Sequence, residues 1–180
     1  MKLGIVIKNE ALREDQRFLD LLQQLEKESY ETYNISSKAD IRPETDFVLS
    51  IGGDGTFILA AQLVADVGLP ILGVNLGRLG FLSENRLDSV VPALLSGEFS
   101  IEYCKMLNAT IKGKNARKEI GFLPYAVNEV CIHRKGTAVL GIKVSIDGEP
   151  LPTYWADGLL VATSTGSKTS VFVIIHPTTV

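Results

Sequence analysis

The run Gly52-Gly53-Asp54-Gly55-Thr56 constrains the fold of this chain more than any other stretch. It follows the apolar segment Phe47 to Ile51, which is typical of a buried strand. It precedes a helical pattern over residues 57–67, which Gly68 ends. Glycines at such a junction let the backbone turn with positive φ and bring N–H groups close to a ligand. The segment therefore predicts a strand–turn–helix unit.

The first half of the chain repeats this alternation of strand and helix. Two further strands, two further helical patterns and a second glycine-bearing loop are predicted: strands Leu3 to Ile7 and Leu69 to Val74, helices Arg13 to about Lys27 and Leu87 to Leu95, and a loop over residues 75–81. Pro92 predicts that the last helix is short or kinked. The alternation predicts an α/β domain over residues 1–97, with a parallel sheet, helices on its faces and ligands at the carboxyl ends of the strands.

The pattern changes after residue 97. Four stretches are strand-like, and none shows a useful helical period: residues 100–111, 124–133, 139–146 and 153–163. Asp147-Gly148 between two of these runs is a strong signal for a β-hairpin. We expect an all-β domain over residues 98–180, incomplete in this chain.

Composition excludes several classes of function. The 180 residues are 46% apolar and 22% charged, with a formal net charge of −3. This balance gives no broad basic surface for nucleic acid or anionic lipid, and no apolar run has the length of a membrane helix. Two cysteines and two histidines form neither a disulfide framework nor a zinc cluster, and Cys104 and Cys131 are most simply buried thiols. We expect a cytoplasmic protein.

The glycine turn has the chemistry of a phosphate site. Backbone N–H groups beside a helix N-terminus attract anions. The carboxylate of Asp54 repels phosphate unless it holds Mg²⁺ or takes up a proton, and this combination suits phosphoryl transfer. An ordinary turn with Asp54 as a helix cap explains the glycines equally well. The turn lacks the Lys and Ser/Thr of a Walker loop.

Residues 52–56 resemble the GGDGT motif of NAD kinases, of diacylglycerol and sphingosine kinases and, more loosely, of 6-phosphofructokinases. Three further stretches resemble NAD kinases in particular: residues 72–82, the Asn128-Glu129 pair within residues 126–130, and residues 157–167. Their order and spacing agree with that family. Over residues 1–167 the chain is identified as a member of the bacterial-type NAD kinases.

The resemblance implies a reaction and a set of site residues. ATP, or inorganic polyphosphate in some members, with Mg²⁺ would phosphorylate the 2′-hydroxyl of the adenosine ribose of NAD and give NADP. Asp54 would act at that hydroxyl as the base or as an acid linked to the metal. The implied binding residues are Gly52, Gly53, Gly55 and Thr56 for the donor phosphates, Asn128 and Glu129 for NAD, Phe81 beside the nucleotide, Asp157, Thr165, Gly166 and Ser167 on the nicotinamide side, and Asn75 in the same cleft. Lys8, Arg78 and His133 lie near the cleft in sequence, and we expect them to be solvated.

The chain departs from the family after Ser167. Family members continue with Thr-Ala-Tyr, whereas this chain continues with Lys168-Thr169-Ser170 and ends at Val180. We expect a truncated or frame-shifted ending and, because part of the NAD cleft would be affected, low or no kinase activity. The resemblance also implies nucleotides as partners and a homo-oligomer, a dimer or a tetramer. Two other functions stay open: a lipid or sphingoid-base kinase, and a non-catalytic nucleotide-binding fragment.

Overall fold

The computed structural model describes residues 1–76, 80, 82–83, 85–112 and 124–164. Within it the chain divides into two compact units, Met1–Tyr103 and Cys104–Val180. The domain boundary predicted after residue 97 stays a prediction.

The first unit is built on one parallel sheet of five strands. Its strands are β1 (Lys2–Ile7), β2 (Glu31–Asn34), β3 (Phe47–Ile51), β4 (Ile71–Asn75) and β5 (Asn85–Arg86). They lie in the order β2-β1-β3-β4-β5, and each neighbouring pair is parallel. The predicted α/β class with a parallel sheet is therefore confirmed.

Helices cover both faces of this sheet. They are α1 (Gln16–Lys27), α2 (Asp54–Val64) and α3 (Leu87–Ser96), with short 3₁₀ helices at Glu10–Glu14 and Lys38–Asp40. Phe18, Leu21 and Leu25 fall on one side of α1 and join α3 in a core against one face of the sheet. Helix α2 packs against the other face, where Ala60, Leu63 and Val64 meet β1 and β3. Burial on both faces explains the nearly continuous apolar sequences of β1 and β3.

Several predicted boundaries were wrong by a few residues. Helix α2 begins at Asp54 rather than at residue 57, because Gly53 already serves as its N-cap. Asn75 ends β4 instead of opening the loop. Helix α3 runs through Pro92, which stands in its second turn. The sequence patterns did not predict β2 and β5, the two edge strands, because they are short and mostly polar.

Over residues 104–112 and 124–164, the second unit forms short antiparallel pairs. Its strands are β6 (Leu107–Asn108), β7 (Tyr125–Ala126), β8 (Glu129–His133), β9 (Leu140–Ile142), β10 (Ser145–Ile146), β11 (Glu149–Pro150), β12 (Tyr154–Ala156) and β13 (Gly158–Ala162). They pair as β6–β7, β8–β13, β9–β12 and β10–β11. The all-β character is confirmed, but the strand predicted over residues 100–111 was wrong, since only Leu107–Asn108 is a strand there.

The predicted hairpin at Asp147-Gly148 is confirmed. The two residues join β10 to β11, with φ of 52° at Asp147 and 89° at Gly148. Positive φ at both central positions is the geometry of the turn that follows the right-handed twist of a hairpin. Cys104 and Cys131 were wrongly predicted to be buried, and both thiols are free and exposed. Across the described parts of the chain, no helix combines the length and apolar character needed to cross a bilayer.

Candidate nucleotide site

The first unit has a crevice at the carboxyl ends of two neighbouring strands, because the connections that follow these strands run to opposite faces of the sheet. β1 and β3 are parallel neighbours, and Ile7 is paired with Ile51 at their carboxyl ends. β1 leads into α1 on one face of the sheet, whereas β3 leads into α2 on the other. Because the two connections diverge, a crevice forms at the strand ends, which is where ligands bind in open α/β sheets.

A cavity of about 420 Å³ lies at this point. It is lined by Lys8 and Asn9, which follow β1, and by Gly53, Gly55 and Thr56, which follow β3. The cavity thus joins the end of one strand to the glycine turn after the next. Its volume is in the range of small-molecule sites.

The glycines of the turn meet two different requirements. Gly52 has a φ of +142°, and a Cβ there would lie 2.6 Å from Oγ1 of Thr56, so a side chain is excluded. At Gly53, a Cβ would meet no atom within 4 Å, and at Gly55 it would approach Nζ of Lys8 at 4.0 Å. Side chains at these two positions would fill cavity space rather than collide with the protein. Their absence keeps the backbone of the turn accessible to a ligand.

The first turn of α2 lines this space with Gly55 and Thr56. The N–H groups of Thr56 and Phe57 donate to the carbonyl oxygen of Gly53, at 2.9 and 3.3 Å. The N–H of Gly55 comes before these bonds and has no carbonyl one turn earlier in the helix. Donors at the beginning of a helix carry partial positive charge, so the turn is suited to an anion.

Asp54 is the first residue of α2, and its carboxylate contacts the loop after β4. Oδ1 accepts the N–H groups of Leu82 at 2.9 Å and of Ser83 at 3.2 Å. Gly80 makes this approach possible, since a Cβ at that position would lie 2.1 Å from Oδ1. The carboxylate is therefore held in one orientation by groups that lie 28 and 29 residues further along the chain.

Asn75 binds the same loop from the end of β4. Its side chain is buried, and Nδ2 lies 3.4 Å from the carbonyl oxygen of Ser83, to which it donates. Asp54 and Asn75 therefore both bind the backbone of Ser83: Asp54 accepts its N–H, and Asn75 donates to its carbonyl oxygen. The structure thus brings together six predicted residues, namely Gly52, Gly53, Asp54, Gly55, Thr56 and Asn75.

In the second unit, Glu129 is the first residue of β8, and Asn128 directly precedes it. The carbonyl oxygen of Asn128 accepts the N–H of Thr163 at 2.8 Å. The hydroxyl of Thr163, which is buried, also donates to the carbonyl of Val127 at 2.5 Å. The backbone of the Asn-Glu pair is thus fixed against the end of β13. The side chain of Glu129 is exposed.

Asp157 stands at the opposite end of the β8–β13 pair. Gly158 is paired with His133 and Ala162 with Glu129, so Asp157 and Glu129 are separated by roughly 17 Å of strand. Asp157 forms an ion pair with Arg134, with 2.6 Å between Oδ1 and Nε. The structure does not bring Asp157 and the Asn128-Glu129 pair together. Phe81, Thr165, Gly166, Ser167 and Arg78 lie outside the described residues.

Sequence reasoning did not include Lys8 and Asn9 in the site. Both are exposed residues after β1 and carry no motif of their own. The signal that identifies them is topological: residues after two adjacent parallel strands share one edge of the sheet. That adjacency follows from the strand order, which no local pattern contains.

The family model described as the ATP-NAD kinase N-terminal domain matches residues 3–98. The chain belongs to the ATP-NAD kinase family. The matched residues include the sheet except for Lys2, together with its three helices and the glycine turn.

Relatives within the ATP-NAD kinase family support the same assignment. The chain is 38% identical to an NAD kinase of Flavobacterium psychrophilum over 136 residues, which are 73% of this chain and 46% of that protein. It is 39% identical to one of Bacteroides fragilis over 128 residues, which are 69% and 43% of the two chains. The chain spans about half the length of the curated relatives it matches.

Two solved structures of kinases share the fold. The crystal structure of yeast NADH kinase complexed with NADH superposes with a TM-score of 0.70, at 22% identity, over 94% of this chain and 59% of that one. The crystal structure of an NAD kinase from Archaeoglobus fulgidus in complex with ATP gives 0.64, also at 22% identity, over 94% and 63%. These likenesses establish the architecture of both units.

Proposed function

We propose that this chain is an NAD kinase, which transfers a phosphoryl group from ATP or polyphosphate to the 2′-hydroxyl of the adenosine ribose of NAD. One observation carries the proposal: in a chain of the ATP-NAD kinase family, the Gly52–Thr56 turn lies at the crevice between β1 and β3. The relatives named NAD kinase, and solved kinases with NADH and with ATP, support nucleotides as the ligands. The family match offers no support to a lipid kinase.

The donor phosphates fit the cavity at the glycine turn. Gly53 and Gly55 leave their backbone accessible, and the beginning of α2 supplies N–H donors. The described residues hold no group of three His, Cys, Asp or Glu side chains that could bind a metal. Mg²⁺ is commonly bound by one or two carboxylates together with substrate phosphates, and Asp54, within the glycine turn, would be such a carboxylate. When bound, the ion would neutralise charge on the phosphates.

The acceptor side of the reaction is assigned to Asp54 and to the second unit. The carboxylate of Asp54, oriented by the N–H groups of Leu82 and Ser83, would take the proton of the 2′-hydroxyl as the phosphoryl group arrives. Asn128 and Glu129 would hold NAD, because an amide and a carboxylate suit an adenine edge and ribose hydroxyls. Phe81, Asp157, Thr165, Gly166 and Ser167 keep the roles that the resemblance implies, as parts of this proposal.

We further propose that the protein is cytoplasmic and forms a homo-oligomer, either a dimer or a tetramer. It would have no nucleic-acid or membrane partner. The departure from the family at Lys168 supports a low rate of turnover. A sensitive assay is therefore needed.

Formation of NADP from NAD and radiolabelled ATP tests the proposal directly. Label transfer to NAD, but not to diacylglycerol, supports it. Stabilisation of the fold by NAD and ATP without any label transfer would instead identify a nucleotide-binding fragment, since a ligand that binds the folded state raises the melting temperature. Transfer to diacylglycerol, or no stabilisation by either nucleotide, would overturn the proposal as well.

A further inference from the structure

We propose that Lys8 binds the phosphate chain of the donor, as the cation of the cavity at the glycine turn. The inference rests on the proposed function and adds to it a residue that no sequence motif includes. It also defines the class of ligand. This ligand is a polyanionic phosphate chain, recognised through its charge rather than through a nucleobase.

The strand register places Lys8 beside the turn. Ile7 is paired with Ile51, so the residues that follow, Lys8 and Gly52, leave the sheet at the same edge. Nζ of Lys8 lies 4.0 Å from the point where a Cβ of Gly55 would stand. A phosphate oxygen that approaches the N–H of Gly55 would therefore be near the ammonium group.

The charges of the cavity point to the same role. Among the described residues that line it, Lys8 is the one with a formal charge. The glycine backbone supplies dipoles, which suit one phosphate group, but a triphosphate carries several negative charges. Charge-assisted bonds from an ammonium group are shorter and stronger than bonds from neutral donors. A lysine at the wall supplies the missing positive charge.

The described residues around Lys8 give it no structural role. Six basic side chains of the described part of the first unit form ion pairs: Lys2, Arg13, Arg17, Lys38, Arg42 and Arg86. Lys8 and Lys27 form none with any residue that the structure describes. Lys27 stands in the last turn of α1, where a cation complements the helix dipole. Lys8 lies in no helix and faces the cavity instead.

Ligand titration of the full 180-residue chain tests the proposal, with Lys8→Gln, Lys8→Arg and the matched control Lys27→Gln. The probes are ATP, sodium tripolyphosphate and NAD, each titrated calorimetrically. We expect Lys8→Gln to weaken the binding of ATP and of tripolyphosphate about tenfold, which is the size of one lost hydrogen bond to a charged group. Lys8→Arg should retain most of the affinity, because it keeps the charge. Lys27→Gln should leave the affinities for ATP and tripolyphosphate unchanged. The affinity for NAD should stay within about twofold in all three variants, a change well under 1 kcal/mol.

Three results would overturn the role of Lys8. They are wild-type affinity for tripolyphosphate in Lys8→Gln, an equal loss in Lys27→Gln, and no binding of ATP or tripolyphosphate by the unaltered chain. The two proposals fail separately. Tripolyphosphate binding that depends on Lys8, without label transfer to NAD, defeats the kinase activity alone. Label transfer that is unchanged in Lys8→Gln, together with unchanged ATP affinity, defeats the role of Lys8 alone.

Discussion

The two units of the chain differ in how they bury apolar side chains. Among the described residues, every buried hydrophobic side chain except Val127 and Ala156 belongs to the first unit. In the described part of the chain, the first unit forms a single five-stranded sheet, whereas the second forms four separate strand pairs. Large apolar side chains of the second unit are half exposed, among them Ile132 at 52% and Trp155 at 57%.

This difference shows where each half of the proposed reaction has its support. The glycine turn follows β3, the central strand, whose Val48, Leu49 and Ile51 are completely buried. A site on rigid elements holds its groups more exactly than a site on loops. The donor site is thus positioned by core packing. The Asn128-Glu129 pair is positioned by hydrogen bonds from Thr163 instead.

The largest effect is expected at Asp54. Replacement by Asn keeps an oxygen that accepts the N–H groups of Leu82 and Ser83, but removes the base. Turnover should fall about 10²- to 10⁴-fold. NAD affinity should remain within about tenfold, or 1.4 kcal/mol. Radiolabel transfer and NAD titration measure the two quantities, and equal losses in both would make Asp54 a structural residue.

The contrast in burial predicts the next largest effect. Leu49→Ala, at a side chain with no exposure, should lower the free energy of unfolding by about 2 to 5 kcal/mol. Ile132→Ala, at a side chain that is half exposed, should cost no more than about 0.5 kcal/mol. Urea unfolding measures both variants with separate signals. Circular dichroism at 222 nm follows the first unit for Leu49→Ala, since all α-helices of the described residues lie there, and the fluorescence of Trp155 follows the second unit for Ile132→Ala. Similar losses in the two variants would contradict the contrast.

Local sequence patterns predicted the first unit better than the second. β1 and β3 are nearly continuous apolar runs because helices cover both of their faces, and β3 matched its predicted bounds. The Asp147-Gly148 turn was found because its geometry depends on two residues alone. The beginning of α2 was missed because a glycine-rich run also suits a loop.

The part of the site that depends on distant contacts could not be predicted. Lys8 lines the cavity because β1 pairs with β3, although about 45 residues of sequence separate it from Gly53. The hydrogen bonds from Leu82 and Ser83 to Asp54 likewise join residues that are far apart in sequence. Motifs identified the residue types, and the topology decided which of them meet.

A binding effect of about tenfold is expected at Asn128. Asn128→Ala should weaken the binding of NAD by roughly 1.4 kcal/mol and leave the binding of ATP unchanged, because it removes the amide proposed to contact NAD. The hydrogen bonds from Thr163 go to backbone carbonyls and remain in place. Asn108→Ala, at an exposed asparagine of the same unit, is the control. Unchanged NAD affinity in Asn128→Ala would remove that residue from the site.

The smallest effect is a dependence of stability on pH that is carried by the first unit. The N–H groups of Ser36 and Ser37 donate to Oδ2 of Asp40 at 2.9 and 2.7 Å, and they lower the pKa of that carboxyl below its ordinary 3.8. A hydrogen bond from Lys2 likewise lowers the pKa of Glu44 from 4.5. Because the pKa values are lower in the folded state, this stability is present above about pH 4.5 and is lost as the pH falls through the folded values.

Urea midpoints at pH 7, 5 and 3 measure this loss, and two variants identify the share that Asp40 contributes. Asp40→Asn removes one titrating group and should reduce the pH dependence of the 222 nm transition, while Glu44 still contributes the remainder. Ser37→Ala deletes the hydroxyl that donates to Asp40 at 3.1 Å but keeps both backbone donors, so it should change the slope less. The fluorescence of Trp155, the chain's single tryptophan, monitors the second unit in the same samples. A slope that is equal in Asp40→Asn and in the unaltered chain would show that acid sensitivity arises elsewhere.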